Sequence, residues 1–209
     1  MERTLIHITD EDFIASGAFC NCYRHPNIRD QCIKIQTTNK KARKRLKTDL
    51  AYYKELHNRQ SDLYYVADYL GSCRTNLGQG HAYQCVLDDD GTVSKTLEFY
   101  LENNILEPDV FLKELLRLAT HLLNHRIMIS DIHPKNILIQ RTEGLTPKPV
   151  LVDGVGDKVV LAGVNIFAPI AHSKIIRRWN RFVNLLLDRY PEFQLTIKDL
   201  YLSKDNIEF

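Results

Sequence analysis

No stretch of the 209 residues approaches the roughly 18 to 20 unbroken apolar side chains of a membrane-spanning helix. Met1 to Asp12 contain no apolar signal core and end on Asp10-Glu11-Asp12, so a cytoplasmic location is expected. Charge of one sign is also lacking: 28 basic residues face 26 acidic ones, for a net charge of +2. The molecule as a whole is therefore not built as a polyanion binder. Cysteine is sparse and odd in number. The five thiols lack zinc-type spacing, since Cys20 and Cys22 are separated by one residue where structural zinc pairs keep two to four. Reduced, mostly buried thiols are expected. Internal repeats and low-complexity tracts are absent as well.

What remains is an ordinary globular balance, 44% apolar and 26% charged, in which the period of the apolar pattern changes along the chain. Residues 3 to 36 read as short strands and turns. A helix is expected over about 40 to 58, opening on the basic run Lys40 to Lys47 and burying Leu46, Leu50, Tyr53 and Leu56. Strands are expected again at Tyr64 to Leu70, His81 to Leu87 and Thr96 to Leu101, with turns at Leu77 to Gly80 and Asp89 to Thr92. From Pro108 the pattern turns helical, with Glu107 and Asp109 favouring the helix start. Two short apolar runs follow, Ile127 to Ile129 and Ile137 to Ile139. After loop residues Pro147 to Pro149 comes the strand Val150 to Val152, and a last amphipathic helix covers about 173 to 188. The expected class is α+β, with residues 1–104 strand-rich, residues 105–209 helix-rich, and a cleft between them.

One constellation carries chemistry. Asp131 stands five residues before Asn136 in a loop stiffened by Pro134, and Asp153 follows at a strand end beside Gly154-Val155-Gly156. This order matches the base and metal ligands of a kinase catalytic loop. Phosphoryl transfer needs positioning and charge neutralisation, so a cation and a phosphate-covering loop should lie upstream. Lys34, in the strand-like Gln31 to Ile35, supplies the cation for the nucleotide phosphates. Asp49 is its expected helix partner, with Glu55 as the fallback. Gly17 holds the place of the glycine-rich loop but is one glycine where three are expected. Magnesium would be held by Asn136 and Asp153, and ATP would be the phosphoryl donor.

With these residues in place, the sequence resembles the YrbL-like PhoP regulatory network proteins, compact bacterial members of the protein-kinase-like superfamily. The likeness runs from about Gly17 to Phe182. Its marks are Cys22-Tyr23-x-His25-Pro26 leading to Cys32-Ile33-Lys34-Ile35, then Leu50-x-Tyr52-Tyr53, Pro134-x-Asn136-Ile137-Leu138, Asp153-x-x-Gly156 and the basic final helix with Trp179. The resemblance implies a protein-kinase-like bilobal fold with a strand-rich N-lobe and a reduced helical C-lobe, and an ATP-type site.

Two departures shape the functional expectation. His133 stands where a protein kinase has lysine, which looks more like the loop of aminoglycoside and choline kinases. No Ala-Pro-Glu element occurs in residues 154–209, too short a stretch for the full substrate-binding lobe of an ordinary protein kinase. The expected acceptor is a hydroxyl-bearing small molecule or an unconventional protein site. The alternative is a regulatory pseudokinase serving as a partner-binding module. Nucleic-acid binding is not expected, because the Lys40 to Lys47 run opens a helix needing solvating charge and has no interleaved aromatic platform. The basic residues of the last helix, Lys174, Arg177, Arg178 and Arg181, read as a solvated face.

Overall fold

The computed structural model describes residues 5–37, 40–105, 108–156 and 168–203. Its first part is a six-stranded sheet: β1 (Leu5–Ile6), β2 (Phe13–Ser16), β3 (Cys20–Arg24), β4 (Gln31–Gln36), β5 (Tyr69–Thr75) and β6 (Gly78–Gln84). The spatial order is β1-β5-β6-β4-β3-β2. β1 runs parallel to β5 and the other pairs are antiparallel. Helix α1 (Lys40–Asn58) connects β4 to β5. A second, antiparallel sheet is formed by β7 (Lys95–Thr96), β8 (Ile137–Gln140) and β9 (Lys148–Leu151). Helices α2 (Leu97–Glu102), α3 (Pro108–Asn124), α4 (Ala168–Arg189) and α5 (Gln194–Ile197) complete a mixed α+β architecture with a strand-rich N-terminal sheet.

Strand periodicity decides what the first sheet presents to α1. Successive side chains of a strand point to opposite faces. Ile33 and Ile35 therefore pack with Ile8 in a small outer cluster. Cys32 turns the other way, into the main core with Tyr52, Tyr53 and Leu56 of α1. Lys34 shares the parity of Cys32. Its neighbour across β3 is Cys22 and across β6 is His81, so the α1-facing side of the sheet carries polar groups among apolar ones.

The same core cluster continues through Leu115, Leu118 and Leu122 of α3 to Ile175, Trp179, Phe182 and Leu186 of α4. Helical spacing puts each set on one stripe, as the sequence predicts. All five cysteines are free thiols, with Cys32 and Cys85 buried. No helix among the described residues is long and apolar enough to cross a membrane.

Several boundaries differ from expectation. Thr96 to Leu101 is not a strand: after β7 the chain turns into α2. The Thr96 hydroxyl accepts from the Phe99 N–H at 3.1 Å, and Glu98 sits in the first turn. A cap and a favourable charge at the dipole outweigh the strand propensity of this segment. Gly78 to Gly80 belong to β6 rather than to a turn. The hairpin closes at Asn76 and Leu77, because Thr75 pairs with Gly78, whose φ is +115°. Lys148 and Pro149 are strand rather than loop, and β9 can hold a proline because it lies at the end of its sheet's strand order. The Tyr64 to Leu70 strand begins only at Tyr69. The charges expected at the start of α3, and the side chains of Lys40 and Lys41, lie outside the described residues.

Trp179 is fully buried and its indole N–H donates to the Leu200 carbonyl at 2.8 Å. Replacing it with alanine should cost about 3 to 5 kcal/mol, from lost burial and an unpaired carbonyl. Urea denaturation followed by far-UV circular dichroism checks this.

Candidate functional site

The site is built on a contact between residues 118 positions apart. The Lys34 ammonium donates to the Val152 carbonyl at 2.7 Å and lies 4.7 Å from the centre of the Tyr83 ring. Burial by itself would push the lysine toward its neutral form. The Asp153 charge, with smaller contributions from Cys22 and Tyr83, outweighs it and holds Lys34 well above its ordinary pKa. The lysine is thus a permanent cation in a place where cations are costly.

The partner strand-end is shaped by backbone bonds. Val152 N–H donates to the Asn136 carbonyl at 2.9 Å, which sets the turn carrying Asp153 beside Asn136. The next residue, Gly154, has φ +78°, and its carbonyl accepts from Ser130 N–H at 2.6 Å. A Cβ at Gly154 would stand 2.0 Å from the Asp131 carbonyl oxygen. Glycine is required there on both counts, by conformation and by contact. Ile129 and Val155 form an isolated bridge, and Gly156 N–H donates to Met128 O at 2.8 Å. Residues 128–131 and 154–156 therefore run as one laced pair of segments.

Two more elements fix this pair. The Tyr52 hydroxyl of α1 accepts from Met128 N–H at 2.6 Å, and the Arg178 guanidinium of α4 donates to the Ile129 carbonyl. Arg178 was expected on a solvated face, but its hydrogen bond ties the last helix to the loop. Arg177 and Arg181 are exposed as expected. Glu98 of α2 adds an ion pair to Arg189 at 3.0 Å and a looser one to Lys135 at 4.0 Å. His133 caps the short 3-10 turn Pro134–Asn136, its Nδ1 accepting from Lys135 N–H at 3.2 Å. The neutral ring then carries its proton on Nε2. Burial and the nearby Arg189 charge hold His133 below the ordinary histidine pKa.

Lys34, Asp49 and Asp153 line one pocket, together with Cys20, Arg45 and Tyr83 among others. The free space in it is about 50 Å³. Asp131 and Asn136 are not in its lining; they lie on the adjoining loop, joined to Gly154 and Val152 through the bonds above. Gly17 closes the β2–β3 turn, donating to Cys20 O at 2.8 Å, and the far side of that turn, Phe19 and Cys20, reaches the pocket. Asp49 meets Arg45 at 4.0 Å, while the hydrogen bond of Lys34 goes to Val152. The fallback, Glu55, pairs with Arg59 at 3.8 Å and is not part of the pocket lining. Tyr83, Arg45 and the Val152 carbonyl were not anticipated. Arg45 carried a readable signal, its position four residues before Asp49 on a helix. Tyr83 depends on sheet register and carried none.

A family model for the PhoP regulatory network protein YrbL matches residues 6–186. The chain belongs to this family. It is 29% identical over 182 residues to the uncharacterized protein YrbL of Escherichia coli strain K12, covering 86% of this chain and 87% of the relative. The YrbL of Shigella flexneri matches with the same identity and coverage. The match spans the YrbL-like segments around Lys34, Asn136 and Asp153 alike.

In this YrbL-family chain, burial and the Asp153 charge raise the Asp49 pKa to about 7, with Arg45 and Lys34 partly offsetting them. An unfolded aspartate loses its proton near 3.8, so between these values the folded chain binds more protons than the unfolded one. Stability should fall as pH rises through this window. Asp49→Asn should flatten that slope and raise the unfolding midpoint at about pH 8, with no gain near pH 4. Thermal unfolding across pH measures both. Gly154→Ala should destabilise by more than about 2 kcal/mol, since a positive φ and a backbone clash act together. Equilibrium denaturation checks it, with Gly144→Ala, also at positive φ but in open space, as the control.

Proposed function

We propose that this chain is a kinase-like phosphotransferase that uses ATP and magnesium to phosphorylate a hydroxyl acceptor, either a small molecule or an unconventional protein site. The observation that supports this reading is the convergence of Lys34, Asp49 and Asp153 in one pocket, beside a loop bearing Asp131 and Asn136. On this reading residues 1–104 act as an N-lobe and residues 105–209 as a reduced helical C-lobe of a bilobal fold working in the cytoplasm. The sheet holds the cation, and the loop and strand-end hold the oxygen ligands.

The donor chemistry fits. Asp153 offers a carboxylate and Asn136 a side-chain carbonyl, hard oxygen ligands of the kind magnesium prefers. Magnesium, when bound, neutralises charge on the nucleotide phosphates. Lys34 is permanently charged and positions the phosphates. Asp131, exposed on its loop, accepts the proton of the acceptor hydroxyl as its oxygen attacks the γ-phosphorus and ADP departs. The neutral His133, with Nε2–H free of its capping bond, donates to the acceptor or the transferred group. The small pocket must widen for a nucleotide, since ligand sites run to about 300 to 1,000 Å³. In its lining the Arg45 guanidinium lies over the Phe19 ring at 5.5 Å, and on this reading nucleotide entry separates the two.

A second reading, a regulatory pseudokinase acting as a partner-binding module, draws on that same narrow pocket and on the lone Gly17. Thermal unfolding with and without ATP and magnesium separates the two. Nucleotide at about 100 times its dissociation constant should stabilise the wild type by roughly 2.7 kcal/mol, and Asp153→Ala should lose that gain. In a labelled-ATP screen against cell extract, Asp131→Asn should keep the gain but lose transfer by about 100-fold or more. No stabilisation and no transfer in the wild type would defeat the phosphotransferase reading.

A further inference from the structure

Outside that pocket, one cluster of side chains among the described residues has the composition of a metal site. His121 lies in the last turn of α3, and His125 directly follows the helix end at Asn124. His125 N–H still donates to the His121 carbonyl at 3.0 Å, so helical spacing is kept and both rings project to one side. Their ring centres are 4.4 Å apart. Asp62, on the segment between α1 and β5, comes up against them. One carboxylate oxygen of Asp62 and one ring nitrogen of each histidine lie within 4.8 Å of one another.

The orientation of each ligand is already set. Asp62 Oδ1 accepts from Tyr64 N–H at 2.8 Å, which leaves Oδ2 turned toward His125 Nε2 at 4.0 Å. Zinc bonds to nitrogen and oxygen run to about 2.1 Å, so two ligand atoms about 4 Å apart can share one ion. His121 Nε2–H donates to the Asp62 backbone carbonyl at 2.9 Å, which leaves Nδ1 as its ligand nitrogen, and its ring packs against that of Tyr65 with centres 5.1 Å apart. Outer contacts of this kind are what orient ligands around bound metals. The cluster is also accessible: the His125 side chain is 37% exposed and that of Asp62 56%.

We propose that Asp62, His121 and His125 form a three-ligand site for a divalent transition metal of the zinc class, clamping the segment before β5 to the end of α3. Two imidazoles and one carboxylate suit such ions and disfavour magnesium, which seeks an all-oxygen shell. A fourth position stays open to water. The site shares no residue with the proposed phosphotransfer machinery, so the two stand or fall separately.

The test titrates the metal-free full-length chain with zinc against a chromogenic chelator, in excess magnesium. One equivalent should bind, and His121→Gln and His125→Gln should each weaken binding by at least about tenfold. Cobalt substitution should give a spectrum without thiolate-to-metal charge transfer, which excludes the cysteines as ligands. Paramagnetic cobalt should also broaden the ring-proton resonances of His121 and His125 in the wild type, a readout that needs no variant. Absence of zinc binding, a thiolate band, displacement by magnesium, or full affinity in both histidine variants would overturn the proposal.

Discussion

A half-buried ammonium on a sheet face must find a carbonyl and a negative charge, and the arrangement of this molecule follows from how Lys34 meets that demand. Its carbonyl is supplied by Val152 and its charge by Asp153, both from the far half of the chain. The register of β4 is therefore constrained twice. A one-residue slip would take Ile33 and Ile35 away from Ile8 and would also swing the ammonium to the opposite face, away from Val152 and Asp153. The sheet and the strand-end turn specify each other.

The loop of residues 127–136 inherits its position from the same turn. It is braced by α1 through Tyr52, by α4 through Arg178 and by α2 through Glu98, so three helices converge on a segment with little regular structure of its own. Each brace works through a polar group meeting a backbone atom or a charged side chain of the loop. Such bonds position a loop without filling the space around Asp131, which stays exposed. The arrangement combines a braced backbone with an open side chain at Asp131.

The sequence made the long elements legible and left the pairing hidden. α1 and α3 could be read from apolar spacing, and α3 also from Pro108, because helical periodicity is local. Lys34, Asp49 and Asp153 could be singled out one by one, since residue type and order suggest phosphate and metal chemistry. Their meeting in one pocket could not be derived from spacing, because it depends on the register of β3, β4 and β6. Thr96 misled through its strand propensity when its hydroxyl was serving as a cap. The His121 and His125 pair was written plainly at helical spacing, but its third member, Asp62, lies 59 residues from His121 and is brought there only by the path of the chain after α1.

The tryptophan content has a practical bearing on how this protein can be watched. Trp179 is the one tryptophan in the sequence, sealed in the α3–α4 core with its indole bonded to Leu200 and the Phe182 ring 5.4 Å away. Its fluorescence reports on the packing of the last helix. The side chains around Lys34 are instead neighboured by tyrosines, with Tyr83 in the pocket wall and Tyr53 and Tyr69 in contact with it. Emission from tryptophan would follow the unfastening of α4, whereas tyrosine emission averages over ten residues, Tyr190 and Tyr201 among them. The single tryptophan is thus a local probe of one helix that needs no added label.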